Sequence, residues 1–453
     1  MHKRYPHTFL EKASLFIYKL VWILSFPIVI AYFFKRSLKE SSYRLHFRER
    51  LGVGPHFKKK GIWIHAVSLG EFRAAMPLIT KLLERNERII ITTITPAGRE
   101  EAQRALKEEI LEGEVLVLYL PLEYSFSISL FIKRYRPRLG IILEYELWPV
   151  LISSCQKNGI PLVLAQAHYV KKSFLRDKKT PWMRGAVLKG FSLILAKSEL
   201  HAERFREFTD FPVDVMGELR FEQVVDPKHL KKANEFIQEV KRNRPSRICF
   251  CFGSTGPGED HTLINIMVKL KEKAHATGKR APFFVYVPRH KKDFKSVKKF
   301  IDDSGLDFFS RSDFFERDLT FAANNFMNFC DCDGLYGDSL GEINFYFQMA
   351  DFVFIGNSFN ELGSHNIIEP LALRKPVFVG PSVWGIEYPI VEAERAGVAI
   401  KVDSEDTLMK LWWKKINQGE IDLLAEKKIM KFHKDHSGAS EKCIAKLNHY
   451  GLL

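Results

Sequence analysis

Two periodicities alternate along most of this chain. Short unbroken apolar runs are followed by segments in which apolar residues recur every three or four positions. Gly61–Val67 (GIWIHAV) and Arg88–Ile94 (RIIITTI) are of the first kind, Glu71–Arg85 (EFRAAMPLITKLLER) is of the second, and a further helix is predicted from about Pro96. The runs VLVLYLP, LGIILEY, PLVLAQA and SLILAKS continue the series to about Glu222. Strands that are apolar on both faces and separated by helices predict a parallel sheet covered on both sides. A charged stretch, Lys228–Arg247, reads as a helix plus linker and marks a domain boundary. A second series begins at ICFCFGS (Ile248–Ser254) and runs through APFFVYVPRH, FVFIGNS and PVFVGPS; after about Asp403 the chain is helical and basic. The pattern predicts two doubly wound α/β domains facing a cleft, residues 37–225 and 247–453, joined by a linker at 226–246, with C-terminal helices in the second. Ligands of such sheets bind at the carboxyl ends of the strands, so the residues just after each run are the candidates for chemistry.

One segment stands outside the alternation. Leu15–Phe34 (LFIYKLVWILSFPIVIAYFF) has about the ~20 apolar residues a spanning helix needs, interrupted by Lys19 and Pro27. No small-residue cleavage site follows it, which argues against a removable signal peptide. Lys35, Arg36, Lys39, Arg44, Arg48 and Arg50 crowd its far side, against Lys3, Arg4 and Lys12 before it. The asymmetry predicts a membrane anchor at residues 1–36 with the body on the cytoplasmic face. A buried or interfacial helix is the alternative reading.

Composition narrows the partners. The chain has 453 residues, 46% hydrophobic and 27% charged, which suits two ordinary globular domains. A formal net charge of +15 favours anionic partners: nucleic acid, an anionic membrane surface or phosphorylated substrates. The basic–aromatic modules of nucleic-acid binders are not evident, so nucleic acid is set aside. Cys155, Cys249, Cys251, Cys330, Cys332 and Cys443 show neither C-x-x-C pairs nor zinc spacing and read as free thiols.

Each candidate residue also has an ordinary structural reading. Ser68-Leu69-Gly70-Glu71 sits where the first strand turns into its helix: Glu71 is a candidate general base with Gly70 leaving room for substrate, or it merely complements the helix N-terminus. Glu144 and Glu146 lie two apart at a strand end, where they either face a substrate or begin the next helix beside Trp148. Gly253-Ser254-Thr255-Gly256 is a Gly-containing turn after a strand, suited to a phosphate or simply tight. Pro288-Arg289-His290 offers a cation for a phosphate or a solvated tip. Gly337–Glu342 and His365–Pro370 complete the set, with helix capping by Asn366 the structural alternative for the last.

In order and spacing these segments resemble the bacterial 3-deoxy-D-manno-octulosonic acid (Kdo) transferases over nearly the whole chain. The matching pieces are FRERLG (Phe47–Gly52), SLGE (Ser68–Glu71), TTITPAG (Thr92–Gly98), ELWP (Glu146–Pro149), GELRFE (Gly217–Glu222), GST (Gly253–Thr255), PRH (Pro288–His290), GDSLGE (Gly337–Glu342) and HNIIEP (His365–Pro370). The resemblance implies a GT-B fold of two Rossmann-like domains and an inverting glycosyl transfer from CMP-Kdo to a lipid A precursor at the inner membrane. It implies that Glu71 is the catalytic base, that Glu144 is the first Glu of an E-T-E-L-W-P motif with Tyr145 for the usual Thr, and that Arg220 stands where a basic residue steadies the transition state. Ser254, Thr255, Pro288, Arg289, Leu340, Gly341, Glu342, Asn366, Ile367, Ile368 and Glu369 fall on the donor-binding segments, and Gly70 and Glu146 on the acceptor side. No metal or cofactor is implied. The chain departs from the family at Gln166-Ala167-His168-Tyr169-Val170, where N-A-R-L-S is usual, and at Ser364, where the family often has Gly. A GT-B sugar-nucleotide epimerase and a transferase acting on another lipid are the competing readings.

Overall fold

The computed structural model describes residues 7–57, 60–242, 246–320, 331–418 and 423–453. Lys3, Arg4 and Cys330, used in the sequence reading, lie outside the described residues. The chain forms two compact units, one of residues 1–223 and 437–453, the other of residues 224–436.

The first unit is built on a seven-stranded sheet of β1 (Ile62–His65), β2 (Ile89–Thr93), β3 (Val115–Tyr119), β4 (Leu139–Leu143), β5 (Leu162–Ala167), β6 (Leu193–Ala196) and β7 (Val213–Val215). Every strand pairs in parallel, in the order β3-β2-β1-β4-β5-β6-β7. The unbroken apolar runs follow from burial on both faces. Ile62, Ile64, Ile89 and Ile91 face one core cluster, while Trp63, Ile90, Ile142 and Leu164 face the other. Strand order reverses between β1 and β4, which opens a crevice at their carboxyl ends. The TPAG segment has a packing reason: a Cβ on Gly98 would come within 3.1 Å of the Ser68 backbone and 3.2 Å of the Leu69 nitrogen.

The second unit repeats the plan with β8 (Cys249–Thr255), β9 (Phe283–Pro288), β10 (Phe308–Ser310), β11 (Gly334–Tyr336), β12 (Phe352–Ile355), β13 (Val377–Val379) and β14 (Ala399–Lys401). The order is β10-β11-β9-β8-β12-β13-β14, again parallel, with the reversal between β8 and β12. Its core is aromatic: Phe250 stacks on Trp412 at 4.1 Å, and Phe252 lies among Phe284, Tyr286 and Phe354.

Two boundaries differ from the sequence reading. The helix expected in the charged stretch, Pro227–Arg242, belongs to the second unit instead of to a linker: it buries Ala233, Phe236 and Val240 there, with Phe236 against Phe283, Phe309 and Phe315. The last residues, assigned with the second domain, pack in the first. Helix Ala439–His449 inserts Cys443, Ile444 and Leu447 into the cluster of Ile62 and Ile64, while Ser440 donates to Glu222 and Lys446 pairs with Asp214 at 3.0 Å. A basic amphipathic tail carries no periodicity that names its partner sheet, so only contact decides.

The N-terminal helix spans Phe9–Lys39 and is longer than the apolar run, because Thr8 and Glu11 form a capping box ahead of it. Residues Phe9–Leu38 are long and apolar enough to cross a membrane, and none of the most apolar window is buried. One side of the helix nevertheless follows the first unit along its length. Glu11 pairs with Lys189 at 2.8 Å, Trp22 and Phe26 meet the Tyr124 ring, and Phe33 meets Phe47 and the Arg50 guanidinium. The FRERLG motif thereby gains a structural reason. Glu49 pairs with Arg99 and accepts the Tyr119 N–H, and Arg50 lies over the Tyr119 ring while donating to the Ile94 carbonyl.

Leu447→Ala should cost about 2–5 kcal/mol, as large-to-small changes at fully buried sites do. Hydrogen exchange should rise in peptides of β1 and β4 and stay unchanged in β8 and β9; faster exchange in the second unit instead would refute the assignment of the tail.

Candidate active site

Five sequence-predicted residues, Gly70, Glu71, Glu144, Glu146 and Arg220, gather at the β1–β4 reversal of the first unit. Glu144 directly follows β4 in a left-handed conformation, φ +63°, which a non-glycine side chain adopts at a cost of order 1–3 kcal/mol. Its carboxylate is buried and densely partnered. Lys197 Nζ stands 2.8 Å from Glu144 Oε2 and 2.8 Å from Glu218 Oε2. Arg220 Nη2 donates to Glu144 Oε1 at 3.0 Å, and its Nη1 lies 3.3 Å from Glu218. Gln166 donates to both carboxylates through Nε2. His168 Nδ1 is 2.9 Å from Glu144 Oε2, close enough for charge interaction but out of hydrogen-bond alignment. Burial alone would push the Glu144 pKa up, yet Lys197, then Arg220 and His168, hold it well below the usual carboxylate range.

Glu71 combines a helix-start geometry with a raised carboxyl. Ser68 caps helix Leu69–Leu83, accepting the Glu71 N–H at 3.4 Å, while Glu71 Oε2 accepts the Val67 N–H at 2.8 Å. That is a helix-start arrangement. The carboxyl is also pushed up to about 7: burial is the main cause, the Val67 N–H opposes it, and the negative charges of Glu144 and Glu146 add to it. A group poised there accepts a proton at neutral pH. Glu146 is half-buried and raised by the same burial and by Glu144. Gly70 is exposed, and a Cβ there would meet only Ser68 Oγ at 3.9 Å, so local packing does not require the glycine. The following Trp148-Pro149 opens helix Pro149–Lys157, whose first free N–H groups, Val150 and Leu151, are accepted by the buried Glu123.

In the second unit the predicted residues divide into two groups. Ser254 and Thr255 end β8, Ser254 with φ +57°, and the Thr255 carbonyl accepts the Arg289 N–H at 3.0 Å. Pro288 is buried at the end of β9 and Arg289 is exposed just beyond it. His365 lies close enough to Arg289 and His290 that, after burial, their charges hold it down to about 4. Asn366 accepts the Ile368 N–H at 3.0 Å and leads into the short helix Ile368–Ala372, which contains Glu369. These residues all lie at the ends of β8, β9 and β12, around the reversal. The second group is already engaged: Glu342 forms a two-pronged pair with buried Arg311 at 2.7 Å and accepts from Ser339, leaving Leu340 and Gly341 exposed at the bend before it. The turn after β8 is also partly filled from within. Glu259 accepts N–H groups of Gly256, Asn357, Ser358 and Phe359.

Sequence reasoning missed Lys197 and Glu218. Both carried a weak signal: Lys197 is the charged residue closing the run SLILAKS, and Glu218 stands two before Arg220 in GELRFE. The departures at Tyr145 and Tyr169 explain one another, since the two rings meet at a tilt with centroids 5.1 Å apart and Arg184 lies over Tyr145.

The family described as 3-deoxy-D-manno-octulosonic-acid transferase (Kdotransferase) matches residues 45–223. A 3-deoxy-D-manno-octulosonic acid transferase of Bordetella pertussis is 30% identical over 351 residues, 77% of this chain and 77% of that protein. The chain belongs to the Kdo transferase family. The transferase of the same name from Haemophilus influenzae is 28% identical over 372 residues, 81% of this chain and 82% of its own length. Among solved structures, a glycosyltransferase from Rickettsia africae covers 87% of this transferase and 98% of its own chain, with a TM-score of 0.53 at 12% identity. A UDP-GlcNAc 2-epimerase from Neisseria meningitidis gives 0.53 at 16% identity, covering 86% and 99%. At those identities the likeness is one of fold, the GT-B plan, which serves transferases and epimerases alike. The sequence relatives make this chain a glycosyltransferase.

The raised Glu71 carboxyl has a substrate-free consequence. Its folded pKa lies above the unfolded value, so its contribution to stability is fully present below about pH 4.5 and is lost as pH rises through about 7. Glu71→Gln stays neutral, so its melting temperature should gain on the wild type between those values and keep the advantage above pH 7. A variant less stable than wild type at pH 8 would mean that the ionised carboxylate acts as a helix cap.

Proposed function

We propose that this transferase moves Kdo from CMP-Kdo to a glucosamine hydroxyl of a lipid A precursor of the lipid IVA type, with inversion at the anomeric carbon, in the assembly of the lipopolysaccharide core. The names of its Bordetella and Haemophilus relatives support the sugar. The observation that carries the chemistry is a carboxyl poised near neutrality, Glu71, beside a charge-compensated cluster at Glu144.

Glu71 takes the proton of the acceptor hydroxyl. The freed oxygen bonds to the anomeric carbon of Kdo as the bond from that carbon to the phosphate oxygen breaks, and CMP departs with both electrons. A base with a pKa near the working pH is well matched to that transfer. Arg220, anchored by Glu144 and Glu218, supplies positive charge to the reacting centre, and Gly70 and Glu146 flank the acceptor. The donor rests on Ser254, Thr255, Pro288, Arg289, Leu340–Glu342 and Asn366–Glu369. Arg289 lies close enough to His365 to help lower its pKa, and an exposed guanidinium at the tip of β9 suits the CMP phosphate. The reaction in this reading needs no metal ion or cofactor, because protein cations meet the developing phosphate charge.

The N-terminal helix holds the transferase on the cytoplasmic face of the inner membrane, where its acceptor lies. Its contacts run from Glu11 to Phe33 along the first unit, which favours a helix held in the membrane interface over one that leaves the body to span the bilayer. Phe16, Ile23, Leu24 and Ile28 are at least 63% exposed on its outer side, and Lys35, Arg36, Arg44 and Arg48 follow to meet anionic headgroups.

Incubation with CMP-Kdo and a tetraacylated lipid A precursor should yield, by mass spectrometry, the acceptor plus Kdo. Glu71→Gln should lower turnover by about 10²–10⁴-fold, the range of general-base catalysis, with little change in CMP affinity. Near-normal turnover would remove Glu71 from the role, and product formed from free nucleotide sugar alone would favour an epimerase.

Arg289→Ala should weaken CMP binding by roughly ten- to a hundredfold, the loss of about 1.5–3 kcal/mol from a charge-assisted hydrogen bond. Calorimetry showing unchanged CMP affinity would take Arg289 out of the donor site.

A further inference from the structure

Beneath the outward-facing residues of the first unit lies a square of alternating charge, of which the proposed mechanism uses Arg220 and its anchors Glu144 and Glu218 and leaves Lys197 without a role. Its corners are Glu144, Lys197, Glu218 and Arg220, and each carboxylate touches both cations. The corners differ in depth. Lys197 is buried, its side chain 8% exposed, whereas the Arg220 side chain is 24% exposed. Arg220 is therefore the corner a substrate can reach, and Lys197 is the corner that substrate cannot. We propose that Lys197 is a positioning residue for the transfer step: held between Glu144 and Glu218, it neutralises the inner side of both carboxylates so that Glu144 can fix Arg220 outward toward the reacting sugar. The inference rests on the reading of Glu71, Glu144 and Arg220 as the transfer site.

The charge balance makes Lys197 hard to replace. Two carboxylates face two permanent cations, and Gln166 adds a neutral donor to both. Without Lys197 the guanidinium of Arg220 would have to serve two carboxylates from one side, and buried charge left uncompensated is strongly unfavourable. His168 stands near Glu144 from the end of β5, with His201 behind it at 6.4 Å between ring centroids, and Glu71 and Glu146 approach Glu144 from the segments after β1 and β4. Of the groups around the square, Glu144 and His201 feel the charge at Lys197 directly, and Glu71 and Glu146 are tied to it through Glu144. Its backbone is well fixed for the task, since the Lys197 N–H donates to the Ala167 carbonyl at 2.9 Å at the end of β6.

The test uses the full-length transferase and sets charge changes of opposite sign against each other. Lys197→Met leaves the cluster one unit more negative, so Glu71 and Glu144 should both ionise at higher pH. Turnover should fall by about 10- to 100-fold, and the acidic limb of its pH profile should move to higher pH, whichever carboxyl sets it. Lys197→Arg should return the limb toward its original position. Glu218→Gln makes the cluster one unit more positive and should move the limb to lower pH, and the double variant Lys197→Met/Glu218→Gln should lie near the wild type. The CMP affinity of all four should stay within about twofold, since the nucleotide contacts belong to the second unit. Activity reduced equally at every pH, with the limb unmoved by either single change, would make Lys197 a packing residue and overturn the proposal. The pH dependence of the melting temperature supplies a readout without substrate. The depressed Glu144 carboxyl contributes stability above its unfolded pKa that is lost as pH falls through the folded one. That loss should begin at higher pH in Lys197→Met and at lower pH in Glu218→Gln. A wild type inactive with CMP-Kdo would sink the donor reading while leaving this comparison decisive for Lys197.

Discussion

A carboxylate buried at the end of β4 is the constraint around which the first unit's reactive edge is arranged. Glu144 sits in a left-handed backbone conformation that a glycine would adopt more easily, and it is shielded from water. Both features are unfavourable unless the surroundings compensate, and the compensation comes from three other strand ends. Gln166 and His168 arrive with β5, Lys197 with β6, and Glu218 and Arg220 with the segment after β7. The parallel sheet makes this possible, because every strand delivers its following residue to the same edge. The same negative charge adds to the rise of the Glu71 carboxyl, so one buried ion both anchors a cation and keeps a neighbouring carboxyl protonated to higher pH.

The second unit answers the same topological opening differently. At its reversal the backbone amides are largely satisfied by the protein's own Glu259. The Gly-containing turn is thus held from within instead of standing open as a row of amides, and the exposed cation at this edge is Arg289, just beyond β9. Burial keeps His365 from adding a charge of its own, which leaves the cationic character concentrated on the strand tip. The first unit thus pairs its buried charges at the reversal, while the second leaves Arg289 exposed at a strand tip.

Much of this was legible from residue order. Runs such as GIWIHAV and ICFCFGS announced strands buried on both faces, and the strand ends then pointed to Glu71, Glu144, Ser254 and Arg289 without reference to tertiary contacts. What stayed hidden was pairing. Lys197 closes a strand as ordinarily as many surface lysines do, and only the approach of β6 to β4 through β5 brings it to Glu144. Arg311 and Glu342 are 31 residues apart and meet only in the fold. The C-terminal helix was placed in the wrong unit for the same reason: its apolar stripe fits either sheet, and Cys443 and Leu447 find the first through contacts more than 300 residues distant in sequence, a separation read from the cluster they share with Ile62 and Ile64.

The motif departures also become intelligible once pairing is known. Tyr145 and Tyr169 stand where the family usually has Thr and Leu, and each alone looks like a loss of resemblance at the reactive edge. Together they form one tilted ring contact, completed by Phe205, while Tyr169 donates to Asp177 and Arg184 pairs with the same carboxylate. An aromatic pair of this kind replaces Thr and Leu without altering charge, and Tyr145 also meets the ring of His168 beside Glu144. His168 stands where the family usually has Arg, next to a lysine that contacts the same carboxylate oxygen. Arg220 reaches the other oxygen of Glu144, so the carboxylate is met from both sides whatever His168 supplies. The chain thus keeps the electrostatic requirement of the site while changing the residue that meets it, and that requirement, more than any single motif letter, is what a sequence must satisfy to place an ionised carboxylate at the end of β4.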